Sequence, residues 1–393
     1  MGDLVSRRRA LAALGLTAAT ATPLTLTGVA KRAAAQAADA LRIGLVTFGP
    51  PTATSLVNGA RLAAEEVNTA GGVLGRPIEL VVEDDAHVTA AGAMAAFGRL
   101  AARPDVVAFL GPDRSAFVHA LAADVTKAGR PMMVGGTDPQ LTRMGNAWLF
   151  RCRPNDTYSA RAMADFGVNT LQARRWAIVH VDDQFGTSGR DALVAGLKRL
   201  GVEPIVTRGL AGDTQAAASF AQAANAAVRE AREAGADLIA SYFLVPHVAP
   251  FAEQRRQSGT GTPWLGSPAT TNASALERVG PALEGVYAVT DFAAGSSPAA
   301  EAFARRYEAA YGRSPDFQSA WTFDAMHLLA RSIAEARGAE PEKIRAALLA
   351  IRDHQGAEGT YSFDQNGDGL RGYNVVRHQG GRWVFVKRVE FRD

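Results

Sequence analysis

The sequence predicts an α/β protein built as two doubly wound, Rossmann-like lobes, each a parallel sheet with helices on both faces. Three observations carry this. Short β-rich runs alternate with segments of helical spacing. The alternation comes in two series, before and after about residue 156. The chain, at 393 residues, is also longer than one hydrophobic core usually holds.

In the first series, 42–48 is a strand and 55–70 a helix, with Leu56, Ala60, Ala63 and Val67 recurring every three or four positions. Ser55 is placed to cap that helix and Gly71-Gly72 to stop it. Strand 78–82, helix 90–102, strand 106–110, helix 115–127 and strand 131–134 follow. The second series predicts strands at 176–181, 204–206, 238–243, 263–265 and 286–289, with intervening helices that include 188–200 and 214–234. Helices dominate 298–351, and strands at 360–363 and 382–386 close the chain.

Residues 1–37 read as a cleavable export leader. Ser6-Arg7-Arg8-Arg9 is a cationic start, 10–30 carries no charge, and Ala35-Gln36-Ala37 has the small-x-small form that signal peptidase accepts. The arginines suggest twin-arginine (Tat) export, although Ala10 stands where a large apolar residue is usual. The expectation is a soluble protein in the periplasm after cleavage near Ala37. Cys152 is the only cysteine, so neither a lipidated N-terminus nor an internal disulfide is expected. The formal charge of +3 is misleading, because Arg7, Arg8, Arg9, Lys31 and Arg32 stand against only Asp3 in the leader. The remaining chain is close to neutral and offers no electrostatic reason to expect nucleic acid or anionic membrane as a partner.

Signatures of catalysis are missing: the sequence has no Gly-x-Ser-x-Gly, no His-Glu-x-x-His and no phosphate loop. Its seven histidines are scattered singly, so no metal and no cofactor are expected, and the chain is read as not an enzyme. The run from Asp364 to Gly369 resembles a calcium loop, but Val375 stands where the closing Glu would be, and a turn is the better reading.

The informative residues sit where strands end. In open α/β sheets, ligands bind at the carboxyl ends of strands, against helix N-termini with unpaired N–H groups. Gly111-Pro112-Asp113-Arg114-Ser115 follows one strand and Gly135-Gly136-Thr137-Asp138-Pro139 another. Each puts a hydroxyl beside helix-starting amides, suited to a carboxylate or another small polar group; ordinary N-capping accounts for the pattern equally well.

From about Leu41 to the C-terminus the chain resembles the substrate-binding proteins of branched-chain amino acid (Leu/Ile/Val-type) ABC transporters, of the periplasmic binding protein type I fold. The resemblance rests on motifs in order: Gly59-Ala60, Glu66-Val67-Asn68 with Gly71-Gly72-Val73, Glu83-Asp84-Asp85, and Gly111-Pro112. Thr137-x-Pro139-x-Leu141-Thr142, Phe150-Arg151-x-x-Pro154-x-Asp156, Asp182-Asp183-x-Phe185-Gly186 and Phe363-Asp364-x-x-Gly367-Asp368 continue it. It implies two lobes joined by three hinge crossings, near Asp156, Thr290 and Ala357. Lobe 1 would be 41–155 plus 291–356, and lobe 2 would be 156–290 plus 357–393.

The resemblance further implies a solute held in the interlobe cleft and handed to a permease with its ATPases, by a receptor expected to be a monomer. The alternative of another class is an extracytoplasmic sensing domain of the same fold, signalling to a membrane partner. A ligand carboxylate would meet Ser115, Thr137 and the backbone at Gly135-Gly136, with Arg114 a candidate additional cation. Phe185 takes the place of a common Tyr, and Tyr242 is expected to line the cleft. At Gly266-Ser267-Pro268, proline stands where relatives of this type carry a Glu that pairs with the ligand ammonium. Asp183 and Asp291 are the candidate replacements. Without one, a carboxylate or amide lacking an α-ammonium gains over an aliphatic amino acid, since losing one partner of a buried charge pair costs about 2–5 kcal/mol.

Overall fold

The computed structural model describes residues 40–47, 55–84, 88–211 and 217–391. The leader expected over 1–37 lies outside the described residues, as does Phe48 at the end of the first expected strand.

Five strands form the first sheet: β1 (Leu41–Thr47), β2 (Ile78–Asp84), β3 (Val106–Leu110), β4 (Met132–Val134) and β5 (Leu149–Arg151), in the order β2-β1-β3-β4-β5. Every pairing is parallel. Between them run α1 (Ser55–Thr69), α2 (Ala90–Ala101) and α3 (Ser115–Ala128). The chain continues through α4 (Asp156–Asp165), β6 (Trp176–Val181), α5 (Gln184–Arg199), β7 (Pro204–Leu210) and α6 (Ala217–Glu233). Next come β8 (Leu238–Tyr242), α7 (Val245–Gln257), β9 (Trp264–Gly266), α8 (Ala273–Val279) and β10 (Tyr287–Thr290). Three helices follow: α9 (Pro298–Tyr311), α10 (Phe317–Ala336) and α11 (Pro341–Ala350). The short pair β11 (His354–Gln355) and β12 (Thr360–Tyr361) precedes the hairpin of β13 (Gly372–Gln379) and β14 (Arg382–Glu390).

The second sheet has seven strands in the order β14-β13-β10-β9-β8-β6-β7. Its β6 to β10 portion is parallel, and the β13–β14 hairpin adds on antiparallel to β10. Each sheet is packed on both faces, as a parallel sheet requires. Leu45, Leu110 and Met133 lie in a core with α1, α9 and α10, while Val46, Phe109 and Val134 lie in another with α2 and α3. The seven-stranded sheet divides the same way: Ile239 and Phe243 face one core, and Leu238, Ala240 and Tyr242 the other.

Helix α10 is the pillar beside the first sheet. It approaches α1 so closely that a Cβ at Gly59 would lie 2.0 Å from the Ser319 carbonyl oxygen, and Thr322 Oγ1 donates to the Leu56 carbonyl at 2.8 Å.

Sequence reading missed β5, α4, β13 and the two-residue β11. Three-residue β5 is too short to show alternation. Helix α4 is marked mainly by its cap, Asn155, whose side chain accepts from Thr157 N at 3.0 Å. Strand β13 mixes Asn374, Arg377 and His378 with its apolar residues, and its pattern is hidden by burial in the sheet. The hairpin turn is made by Gly380 and Gly381, which take φ of 60° and 80°, the left-handed pair of a tight two-residue turn. Of the strand expected at 360–363, only Thr360 and Tyr361 pair, with Gln355 and His354. Asp364 closes a turn, its Oδ1 accepting from Asn366 N at 2.9 Å and Asp368 N at 3.0 Å. No cluster suited to a metal occurs among the described residues.

Candidate functional site

A cavity of about 370 Å³ opens at the carboxyl ends of both sheets. Asp113, Arg114, Ser115 and Ala116, which follow β3, line it from one side together with Thr137 after β4 and Arg153 after β5. Asp183, Gln184 and Phe185 after β6, Phe243 to Pro246 after β8, and Pro268 after β9 line it from the other. The N-termini of α1, α8 and α10 complete the wall with Ser55, Asn272 and Gln318. This follows from the topology: each βαβ crossover helix starts at the carboxyl end of one strand and returns the chain to the amino end of the next, leaving helix N-termini and loops at the carboxyl ends.

Ser115 shows how the first wall is wired. Its Oγ accepts from Thr137 N and from Asp138 N, each at 3.1 Å. A hydroxyl has two acceptor sites and one proton, so both acceptor sites are used and only the proton remains to be given. Thr137 is wired the other way. Its Oγ1 donates to Asp156 Oδ2 at 2.8 Å, which leaves it acceptor capacity. Asp156 is buried, and burial pushes its carboxyl up to about 6 against the Thr137 hydrogen bond that lowers it. Arg114 is the N-cap of α3 without a capping side-chain bond, and its guanidinium lies 5.4 Å from the centre of the Phe117 ring.

Arg114, Ser115, Thr137, Asp183 and Phe185, all named from the sequence, come together on the cavity. Five other expected residues do not line it. Tyr242 is fully buried, with its hydroxyl 2.9 Å from Ser159 Oγ and its ring against Gly189 of α5. Side chains alternate along a strand, so Tyr242 faces the core opposite to that of its neighbour Phe243, which lines the cavity. Gly135 and Gly136 are there for packing: a Cβ would lie 2.7 Å from the Trp321 ring at Gly135 and 2.6 Å from Leu141 at Gly136. Ser267 is buried and its Oγ accepts from Phe243 N at 3.3 Å. Asp291 is buried in a two-point ion pair with Arg153, whose Nη2 donates to Asp291 Oδ1 at 3.1 Å.

The carboxylates on the cavity differ in how they are occupied. Asp183 caps α5, accepting from Gly186 N at 2.8 Å. Glu277 pairs with Arg313 at 2.8 Å. Asp113 accepts from Gln318 Nε2 at 2.7 Å through one oxygen, while the other is buried with no hydrogen-bond partner. Sequence reasoning passed over Asp113, Arg153, Asn272 and Gln318. Asp113 and Arg153 sit inside quoted motifs, and Asn272-Ala273-Ser274 is a readable helix start.

The model of one family, described as periplasmic binding protein, matches residues 40–382. An amino acid binding protein of Pseudomonas aeruginosa is 28% identical over 313 residues, covering 79% of this chain and 81% of its own. The leucine-, isoleucine-, valine-, threonine- and alanine-binding protein of the same organism is 25% identical, with 84% of this chain and 88% of its own covered. Among solved structures, a leucine binding protein from Thermotoga maritima superposes with a TM-score of 0.78 at 25% identity, covering 89% of this chain and 99% of that one. Two sheets meeting at one cavity by their carboxyl ends, together with a match over most of its length, mean that this chain belongs to the periplasmic binding protein family.

Proposed function

We propose that this protein is the periplasmic solute receptor of an ABC importer, binding a small carboxylate-bearing solute, an amino acid or a related compound, in the cavity between its sheets. The observation that carries the reading is Ser115: with both acceptor sites filled by Thr137 and Asp138 N–H, its proton calls for an acceptor group on the ligand. The first amides of α3 add partial positive charge there, and Arg114 adds a full one. A ligand donor group finds its acceptor at the unpartnered oxygen of Asp113, on the wall opposite Pro268. Phe185 and Phe243 supply apolar contact for the rest of the solute.

The cavity volume is at the lower end of ordinary ligand pockets, which suits a compound of amino acid size. In this reading lobe 1 is 41–155 plus 291–356 and lobe 2 is 156–290 plus 357–393, crossing near Asp156, Thr290 and Ala357. The receptor carries out no reaction and acts as a monomer. It presents its closed form to a permease pair with its ATPases, after leader removal near Ala37.

A thermal-shift screen of chain starting at Ala38 tests this. The panel is L-leucine, L-alanine, L-glutamate, 4-methylpentanoate, benzoate and benzamide. Binding to the folded state raises the melting temperature by mass action, about 2.7 kcal/mol at a hundredfold excess over Kd. A stabilising carboxylate whose effect is lost in Ser115→Ala supports the reading, and a panel without any shift counts against it.

A further inference from the structure

Along one wall of the cavity, a single carboxylate serves two helices from different halves of the molecule. Asp316 is the N-cap of α10, which packs in the core beside the five-stranded sheet. Its Oδ1 accepts from Ser319 N at 3.1 Å, and Ser319 Oγ accepts from Asp316 N at 3.0 Å, a reciprocal capping box. Its Oδ2 turns to α8, which packs on the seven-stranded sheet through Ala275. That oxygen accepts from Ala273 N at 3.1 Å and from Asn272 Nδ2 at 2.9 Å. Asn272 Nδ2 also donates to Gln318 Oε1 at 2.8 Å, and Gln318 passes the contact on to Asp113. Beside it, Arg313 of the loop that leads into α10 pairs with Glu277 of α8 at 2.8 Å.

Two helix N-termini thus share one buried anion, which both macrodipoles favour. Charge-assisted bonds of this kind are the strong ones. Each helix also keeps a cap of its own. Asn272 Oδ1 accepts from Ser274 N at 3.0 Å, as Asp316 Oδ1 does from Ser319 N. Separating α8 from α10 therefore breaks the contact without fraying either helix, as a reversible docking contact needs and a permanent core contact does not.

We propose that Asp316 and Asn272 are positioning residues for solute capture: by docking α8 on α10 they hold the two halves closed around the cavity. The proposal rests on the receptor reading, because closure matters only if a solute is enclosed. Opening must replace the Asn272, Ala273 and Gln318 contacts and the Arg313–Glu277 pair by water. With this contact intact the solute leaves slowly, and with it broken the solute leaves fast.

Small-angle scattering of the ligand-free chain from Ala38 tests the docking directly. Asp316→Asn keeps a good N-cap but turns an amide toward donors. Asn272→Asp also keeps a cap and sets two carboxylates face to face. Both should raise the radius of gyration with unchanged far-UV circular dichroism. The exchanged pair Asp316→Asn with Asn272→Asp restores a donor facing an acceptor and should return it toward the wild-type value. If the single variants do not fold, Gln318→Ala combined with Glu277→Ala loosens the same contact outside both caps and should expand the molecule. An unchanged radius in folded variants overturns the proposal. With L-leucine and benzoate as probes, the dissociation rate of either that binds should rise about tenfold or more in the single variants. A panel in which no member binds overturns the receptor reading, and the scattering result then judges the docking contact by itself.

Discussion

Arg153 and Asp291 form a buried two-point ion pair that joins the segment after β5 to the end of β10, and the same guanidinium lies 4.4 Å from the centre of the Phe317 ring. Arg153 also donates to the Gly135 carbonyl at 3.0 Å, so the pair braces the cavity floor from both sheets. Removing one partner strands a charge in a dry site. Asp291→Ala should cost about 3–5 kcal/mol of stability, as breaking a buried pair usually does. Urea unfolding followed by circular dichroism measures it, and a loss below about 1 kcal/mol would show that water already reaches Arg153.

Asp156 and Asp324 are both buried, and burial pushes each carboxyl up to about 6. Their folded-state values lie above the ordinary one, so folding favours the protonated acid. Stability from these groups is complete below about pH 4, is lost as pH rises toward about 6, and is flat above that. Each is worth of the order of 1–3 kcal/mol at one unit per 1.36 kcal/mol. The urea midpoint should be higher at pH 5.0 than at pH 7.5, and Asp156→Asn should shrink the difference.

Gly59 has no room for a side chain, because Ser319 of α10 stands where the Cβ would go. Gly59→Ala must push α1 away from α10 and should destabilise by about 1–3 kcal/mol or more. Gly98→Ala, where a Cβ meets nothing within 4 Å, should be neutral or stabilising, and urea unfolding of the two variants measures the contrast.

Three cavity substitutions separate ligand chemistries. Arg114→Ala should weaken benzoate more than benzamide, since only the former carries the charge that a guanidinium favours. Asp113→Asn should weaken L-leucine relative to 4-methylpentanoate by about 30-fold or more, the loss expected when a buried charge partner is removed. Ser115→Ala should weaken both carboxylates alike. Calorimetric titration reads all three, and equal effects of Asp113→Asn on the amine and its deaminated analogue would remove Asp113 from ligand recognition.

Cys152 is fully buried, and burial pushes its thiol well up, with Glu358 and Asp324 adding to the effect. The thiolate is the reactive form. The folded protein should therefore resist thiol-specific reagents, and labelling should follow the urea unfolding curve.

The alternation of strand and helix was legible because side-chain periodicity is local, and the fold class with the strand-end hydroxyls Ser115 and Thr137 followed from it, whereas Arg114 was singled out through the family resemblance. Strand β13 escaped because its polar residues are paired only in the folded sheet: Asn374 Nδ2 reaches the Asp291 carbonyl at 2.6 Å, a partner far away in sequence. Tyr242 was misplaced by a single step of the strand, since which of two alternating faces meets the cavity is set by how the sheet packs and not by the strand itself.

The sequence by itself determined two α/β sheets, the loops at their carboxyl ends and the helix start that carries Ser115, because turn, cap and periodicity signals act over a few residues. Tertiary structure alone decided which carboxylate is free. Asp291 is taken by Arg153, Glu277 by Arg313 and half of Asp113 by Gln318. Those assignments depend on the spacing of two separately built halves, and Asp316 reaching from α10 to α8 fixes that spacing through contacts that no local pattern encodes.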